Sequence, residues 1–215
     1  MNGEVKIKYF KLVDLEDQKL CLEIKNKTGL IINSISDFVN TDINYEVAIP
    51  ILVTSLGKPF TNNILEMIIR SLTTKKAKGI ANKGLLELFH RIIPSTKRDE
   101  NLKWLIGNAF TVIIDKDDYE HIYEIITNKK NTKFCDSFIK AISNLKINQE
   151  RTAKLFINII SEKIADNNVN NVLIIINVLR GLKKIGAFVP KNILNSYKEY
   201  PEKRVQAAYA ALISR

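Results

Sequence analysis

The chain has 215 residues, of which 46% are hydrophobic and 26% charged, and its formal net charge at pH 7 is +10. A chain of this length can bury roughly 70% of its unfolded surface as one compact unit, so it needs no disulfide or metal to hold it together. The composition excludes extensive disorder, and no apolar run reaches the roughly 18 residues that cross a bilayer. The first residues lack the apolar core of a signal peptide, so we expect a cytoplasmic protein without a membrane segment.

The positive charge is concentrated in two stretches of the chain. Residues 43–94 contain 7 basic and 3 acidic residues, and residues 149–215 contain 11 basic and 5 acidic residues. Such a surplus permits attraction to nucleic acid or another polyanion. The two cysteines, Cys21 and Cys135, are far apart in a chain without a secretion signal, which predicts reduced thiols in or near the core.

The N-terminal part predicts an arm followed by a helix pair. Residues 4–12 alternate apolar and polar side chains, as in a short strand or extended arm, although an isolated strand would have no partner. Asp14 is a candidate N-cap for a helix over residues 14–25, and a second helix is predicted over residues 30–39. We therefore assign residues 1–42 to an N-terminal arm and a capping helix pair, continuous with the rest as one domain.

The rest of the chain, residues 43–215, contains apolar residues at helical spacing, and the few Gly and Pro residues favour helices joined by short links. The predicted helices cover residues 45–56, 61–72, 80–93, 101–115, 117–127, 132–145, 149–165, 170–185, 191–198 and 202–213. Val47 is predicted in the core of the first of these. The basic turn at Lys75, Lys76 and Lys78 is read either as a solvated turn beside a helix C-terminus or as a phosphate contact.

The helix over residues 101–115 has one apolar face and one polar face, with Asp99 as a candidate cap. Its apolar stripe consists of Leu102, Leu105, Ile106, Ala109 and Ile113. The opposite face carries Trp104, Asn108, Thr111 and Asp115. Two interpretations of Trp104 stay open: it packs in the core or against a neighbouring repeat, or it is an exposed aromatic anchor for a partner.

Residues 193–213 (ILNSYKEYPEKRVQAAYAALI) resemble the HEAT-repeat pattern, in which a proline-containing turn separates an apolar first helix from an Ala-rich second helix. The matching residues are Pro201, Val205, Ala208, Ala211 and Leu212, whereas Gln206 stands where the family usually has arginine. Residues 48–56 are similar to a first helix of such a repeat and residues 102–113 to a second one. The order of residues 101–109 (NLKWLIGNA) also looks like that in a group of bacterial HEAT-repeat proteins.

The resemblance implies an all-α fold, a right-handed α-α superhelix of about five to six antiparallel helix pairs, as in armadillo-like α-solenoids. In that family the second helices line the concave side, and the proteins mostly hold other macromolecules.

No pattern for catalysis, metal binding or cofactor binding is found in the sequence. His90 and His121 lack further ligands at metal-binding spacing. The glycine spacing of residues 79–84 is followed by two leucines instead of the Lys-Ser/Thr of a phosphate loop. Asp115, Asp117 and Asp118 lack the remaining ligands of a calcium loop, which favours cap and turn roles. We therefore predict no catalytic residue, no metal and no cofactor.

The predicted function is that of a non-enzymatic scaffold or adaptor that binds a protein or peptide in the concave groove. The groove would align polar residues of the second helices, including Asn63 and Glu66. Its candidate partner-binding residues are Arg70, Lys103, Trp104, Asn108, Lys133, Lys140, Asn144, Asn177 and Lys184. The mixed charge of this set favours protein recognition over a phosphate backbone.

Two alternatives stay open. One is a DNA-binding protein related to HEAT-like alkylpurine DNA glycosylases, whose groove uses aromatic side chains and an aspartate. Trp104 and Asp115 lie on one helix line here, but roughly 16 Å apart, and no motif of that family matches. The other is an antitoxin or immunity-type protein whose groove holds one cognate partner.

Overall fold

The computed structural model describes the backbone of residues 3–166 and 171–214, and the side chains of residues 11–163 and 171–214. The described chain is all-α, with eleven α-helices and no strand, which confirms the predicted fold class at this level. The helices are α1 (Gly3–Thr28), α2 (Ile49–Ser55), α3 (Asn62–Ser71), α4 (Asn82–Arg91), α5 (Lys97–Ile113), α6 (Tyr119–Thr127), α7 (Cys135–Ile142), α8 (Gln149–Asp166), α9 (Val172–Lys184), α10 (Lys191–Lys198) and α11 (Lys203–Ile213).

Short 3₁₀ helices precede or join several of them, at Ile35–Phe38, Glu46–Ala48, Lys75–Ala77, Lys116–Asp118 and Lys129–Phe134. None of the helices in the described ranges has both the length and the apolar character needed to cross a bilayer. The chain divides into two compact units, Met1–Ile113 and Ile114–Arg215, which we call unit 1 and unit 2.

The structure corrects both N-terminal predictions. The residues predicted as a strand or arm belong to α1, because a helix satisfies its backbone hydrogen bonds without a neighbouring strand. Two carboxylates of α1 fix this helix to the rest of unit 1. The Asp17 side chain accepts a hydrogen bond from the Ile35 amide at 2.9 Å, and Glu16 accepts from the amide and hydroxyl of Thr61 at 2.9 and 2.7 Å.

The helix predicted over residues 30–39 is replaced by a four-residue 3₁₀ helix. Gly29, at φ +76°, ends α1, and the Ser34 and Asp37 side chains form a capping box that starts the next turn at Ile35. These local side-chain bonds compete with a continuous helix. The short turn buries Ile35 and Phe38 in the core of unit 1.

In unit 1, α3 packs against α5, α4 packs against α5, and α2 contacts both α3 and α4. Two hydrogen bonds join α3 to α5: Asn62 Nδ2 donates to Asp99 Oδ1 at 2.9 Å, and Asn101 Nδ2 donates to Glu66 Oε2 at 3.2 Å. Since both partners advance in the same direction along the chain, α3 and α5 run parallel. The bonded residues are 37 and 35 positions apart.

The core of unit 1 contains the side chains predicted for the 61–72 helix, because Ile64, Ile68 and Leu72 are all buried. Phe38 stacks on Tyr45, with ring centroids 4.5 Å apart, and the Tyr45 hydroxyl donates to the Ser71 carbonyl at 2.7 Å. Val47, predicted in the core, is 60% exposed. It lies in the 3₁₀ helix before α2, so its side chain does not follow the helical stripe used for the prediction.

In unit 2, α7 packs against α9 and α9 against α11, while α6, α8 and α10 pack against the helices that follow them. Asn177 Nδ2 donates to the Asp136 carbonyl at 2.9 Å, and Lys184 Nζ, at the end of α9, donates to Asn144 Oδ1, two residues beyond the end of α7. These bonds show that α7 and α9 are parallel, with an offset of 40 or 41 residues.

α9 was predicted to be central and covered on several sides. It contacts α7, α8 and α11, and eight of its thirteen residues are buried. Gly186, at φ +71°, follows its end, as the sequence predicted. Asn170, which the sequence analysis included in this helix, lies outside the described residues.

Both cysteines are free and buried, as predicted. Burial raises the pKa of the Cys21 thiol, and also that of Cys135, to about 12. Neither thiol therefore has the thiolate character of a reactive cysteine.

Candidate functional site: two clefts between parallel helices

Six of the nine predicted partner-binding residues line two clefts, one in each unit. The α3–α5 cleft of unit 1 includes Arg70 and Asn108, and the α7–α9 cleft of unit 2 includes Lys140, Asn144, Asn177 and Lys184. The structure thus brings six of the nine candidates into clefts, two in one and four in the other. Lys103, Trp104 and Lys133 do not line either cleft.

The α3–α5 cleft has a volume of about 260 Å³ and a mostly polar lining. Its lining residues are Phe38, Val39, Asn40, Thr41, Tyr45, Arg70, Thr73, Thr74, Leu105 and Asn108. The Arg70 guanidinium is paired with Glu66 one turn earlier, with Nη2–Oε1 and Nε–Oε1 distances of 2.9 and 3.0 Å. The cleft therefore offers hydroxyl and amide groups beside a cation whose charge is already compensated.

Trp104 is 40% exposed, on the side of α5 opposite the buried Leu102 and Ile106. Asn108 follows one helical turn later, so the indole and the amide lie on the same side of α5. This position is the one required by the anchor interpretation.

Lys103 was predicted on the partner-binding surface, but it is only 6% exposed. Its Nζ lies 4.2 Å from the centroid of the Phe89 ring, and burial lowers the pKa of its ammonium group. A cation held inside unit 1 adds no contact area for a partner, so the candidate set loses this residue.

The candidate cap of α5 also needs a correction. Thr96 is the residue before α5, and Asp99 is its reciprocal partner: Asp99 Oδ2 accepts from the Thr96 amide at 2.8 Å, and the Asp99 amide donates to Thr96 Oγ1 at 3.2 Å. This is a capping box. Hydrogen bonds from Thr96, Asn62 and Ser95 hold the pKa of Asp99 at about 2.

The α7–α9 cleft has a volume of about 230 Å³ and lies along matching stripes of two parallel helices. Its lining residues are Lys140, Ser143, Asn144, Asn177, Arg180, Gly181 and Lys184. The first three are spaced i, i+3 and i+4, and the other four i, i+3, i+4 and i+7, so each set forms one helical face.

The cations of this cleft are not compensated by acidic side chains. Lys140 and Arg180 form no side-chain hydrogen bond or ion pair with any residue that the structure describes, and Lys184 bonds only to the neutral amide of Asn144. Asn177 is held by the Asp136 carbonyl of α7. The lining thus combines three cations with two amides and no carboxylate, which is an arrangement suited to an anionic group.

Sequence reasoning missed Arg180 and Ser143. Arg180 lies three residues after Asn177 and four before Lys184, so the helical spacing that selected those two residues also selects it. Ser143 is 94% buried and its hydroxyl donates to the Lys140 carbonyl at 2.8 Å, which explains why no exposed polar pattern marked it.

The remaining polar candidates have structural roles. The Asp115 and Asp118 side chains form a capping box around the Lys116–Asp118 turn, as the cap interpretation predicted. His90 makes an edge contact with Phe89, and within the described ranges no three His, Cys, Asp or Glu side chains come together as metal ligands would. Lys133 is exposed on the 3₁₀ helix before α7.

A scan against models of protein families finds no match to this chain, and neither does a search of curated proteins or of solved structures.

Proposed function

We propose that this chain is a HEAT-like helical-repeat scaffold, without enzymatic activity, that binds a protein or peptide through polar side chains of its second helices. The repeat interpretation is supported by the packing inside each unit. Helices two positions apart in the chain, α3 and α5 or α7 and α9, run parallel at offsets of 35–41 residues. HEAT and armadillo repeats have periods of about 40–47 residues. The offset of α7 and α9 matches this period, whereas that of α3 and α5 is a few residues shorter.

The observation that carries the proposal is the convergence of second-helix polar residues in a cleft of each unit. Arg70 and Asn108 come from α3 and α5, and Lys140 and Asn177 from α7 and α9. Stacked helices in a repeat protein bring such residues together on an extended binding surface. In a HEAT-like superhelix, this surface is the concave side.

In unit 1, the α3–α5 cleft and the exposed face of α5 that carries Trp104 favour a protein over a nucleic acid. Arg70 is neutralised by Glu66, and the exposed Trp104 is the residue type most enriched at protein-binding hot spots. A phosphate backbone would instead require a row of uncompensated basic residues.

Nucleic-acid binding is the second candidate, supported by the uncompensated cations of the α7–α9 cleft. Titration with single-stranded and duplex DNA at about 50 and about 200 mM salt tests it, because phosphate contacts give a steep loss of affinity with salt. Tight, salt-sensitive binding would favour this candidate over the scaffold.

The scaffold proposal is tested by affinity capture from nuclease-treated lysate of the native cell, with quantitative mass spectrometry. The wild type is compared with Trp104→Ala/Asn108→Ala and with a control carrying Lys191→Gln, an exposed position outside both clefts. We expect a protein that the wild type and the control enrich and that the double variant of α5, Trp104→Ala/Asn108→Ala, does not enrich.

The proposal is wrong if nuclease treatment removes all enrichment, or if no captured protein depends on residues of either cleft. Circular dichroism of each variant establishes that it is folded before the comparison is made.

A further inference from the structure

We propose that the α7–α9 cleft binds the carboxylate groups of an acidic segment of the partner protein. This inference rests on the scaffold function proposed above and assigns the ligand chemistry of one of its two clefts. The juxtaposition that carries it is that of Lys140, Arg180 and Lys184 on facing stripes of α7 and α9.

The three cations differ from Arg70, the cation of the α3–α5 cleft. Arg70 in unit 1 is paired with Glu66 at 2.9 Å, whereas neither Lys140 nor Arg180 makes any ion pair within the described part of the chain. Like charges gathered in one cleft repel each other, and an anionic ligand relieves that repulsion while it gains charge-assisted hydrogen bonds.

Helix dipoles account for part of the arrangement. Lys140 and Lys184 lie in the last turns of α7 and α9, where a cation complements the partial negative charge of the helix C-terminus. That effect does not account for Arg180, which lies a full turn before the end of α9. The helix-dipole effect also does not explain why the two lysines line the same cleft as Arg180.

The amides of the cleft fix the positions of its walls. Asn177 donates to the Asp136 carbonyl across the two helices, and Asn144 accepts from the Lys184 ammonium group. Lys184 is thereby held in the cleft by a neutral partner that leaves its charge uncompensated. The planar guanidinium of Arg180 can then bind one carboxylate with two parallel hydrogen bonds, with the lysines on either side.

The same features favour an acidic peptide over a nucleic acid. The lining contains no aromatic side chain, and proteins that hold single strands stack bases on aromatic rings. Three cations can neutralise at most three phosphates, which gives a salt slope of only about −2 for a single strand.

The test measures fluorescence anisotropy of the full chain with three labelled probes: a peptide of alternating Glu and Ser, the same peptide with Gln for Glu, and an oligothymidylate of equal charge. The cleft variant is Lys140→Gln/Arg180→Gln/Lys184→Gln. The control variant, Lys191→Gln/Lys198→Gln/Lys203→Gln, removes the same charge from exposed positions outside the cleft.

We expect the acidic peptide to bind and the Gln peptide not to bind, with affinity for the acidic peptide at least about tenfold weaker in the cleft variant. The control variant should lie within about twofold of the wild type. The inference is overturned if the two variants weaken binding equally, if the acidic peptide does not bind, or if the oligonucleotide binds more tightly through the same three residues.

Failure here is distinguishable from failure of the scaffold function. A partner captured through Trp104 and Asn108 whose recovery is unchanged in the cleft variant would leave the scaffold proposal standing and remove the carboxylate assignment.

Discussion

At the residue scale, the largest difference from expectation is Lys103. α5 buries two adjacent stripes, since Gly107 and Phe110 are buried as well as Leu102 and Ile106. Lys103 lies four residues before Gly107 and seven before Phe110, so it belongs to the second stripe. A single narrow stripe read from the sequence therefore placed it outside the core.

Replacing Lys103 by Met should increase the free energy of unfolding at pH 7 by about 1 kcal/mol, since a buried charge is replaced by an apolar chain of similar length. Burial lowers the pKa of Lys103 in the folded state, so the unfolded chain binds more protons between the lowered and the ordinary lysine value. The wild type therefore gains stability as the pH rises through that window.

Urea denaturation of the wild type and of Lys103→Met, at pH 7 and near pH 10, measures the difference between their free energies of unfolding. The advantage of the variant should shrink at the higher pH. Lys97→Met, at an exposed position of the same helix, is the control and should show no such trend. A strongly destabilised Lys103→Met protein would mean that the cation–ring contact with Phe89 outweighs the cost of burial.

Trp104 and Phe110 provide a second comparison on α5. Phe110 is fully buried, so Phe110→Ala should cost about 3–5 kcal/mol. Trp104→Ala should cost about 1 kcal/mol, because the indole is 40% exposed. Thermal denaturation of both variants measures the difference, and equal losses would place the indole in the core.

At the element scale, the start of α5 depends on the Thr96–Asp99 capping box. Asp99→Ala should cost about 1 kcal/mol at pH 7. The folded-state pKa of about 2 is below the ordinary value, so the carboxylate stabilises the fold above about pH 4 and loses this effect as the pH falls towards 2. Denaturation at several pH values should show wild type and variant converging in acid, and a constant difference would contradict the assignment.

The packing of α8 on α9 depends on Gly181. A Cβ there would lie 2.5 Å from Cε2 of Phe156, whose ring is fully buried. Gly181→Ala should destabilise by about 1–2 kcal/mol, the overpacking cost less the gain in helix propensity. Thermal denaturation of this variant and of a control, Gly57→Ala, measures the effect. The Cβ of the control would meet only Thr54 O at 3.5 Å, so its free energy of unfolding should stay within about 0.5 kcal/mol of the wild type.

Helical periodicity predicted the elements well where the apolar stripe is regular. The residues predicted for α10 match its bounds, and those for α6 and α8 come close. It was wrong at residues 30–39, because side-chain hydrogen bonds of Ser34 and Asp37 are specific to that turn and are not visible in a hydrophobic pattern.

At the scale of the whole molecule, the sequence could identify which residues face away from the core but not which of them meet. Lys140 and Lys184 are 44 positions apart, and only the parallel register of α7 and α9 brings them into one cleft. The absence of a carboxylate opposite them depends on that register. The charge pattern of the chain showed only that its C-terminal third is basic.

The central proposal is that the two clefts and the face of α5 that carries Trp104 contact a protein partner. The most direct measurement is photo-crosslinking in the native cell, with a photoreactive phenylalanine derivative at the position of Trp104, at that of Asn144, or at the control position of Lys191. We predict a discrete protein adduct from the first two positions and none from the third. Adducts of equal yield at all three positions, or adducts made only with nucleic acid, would contradict it.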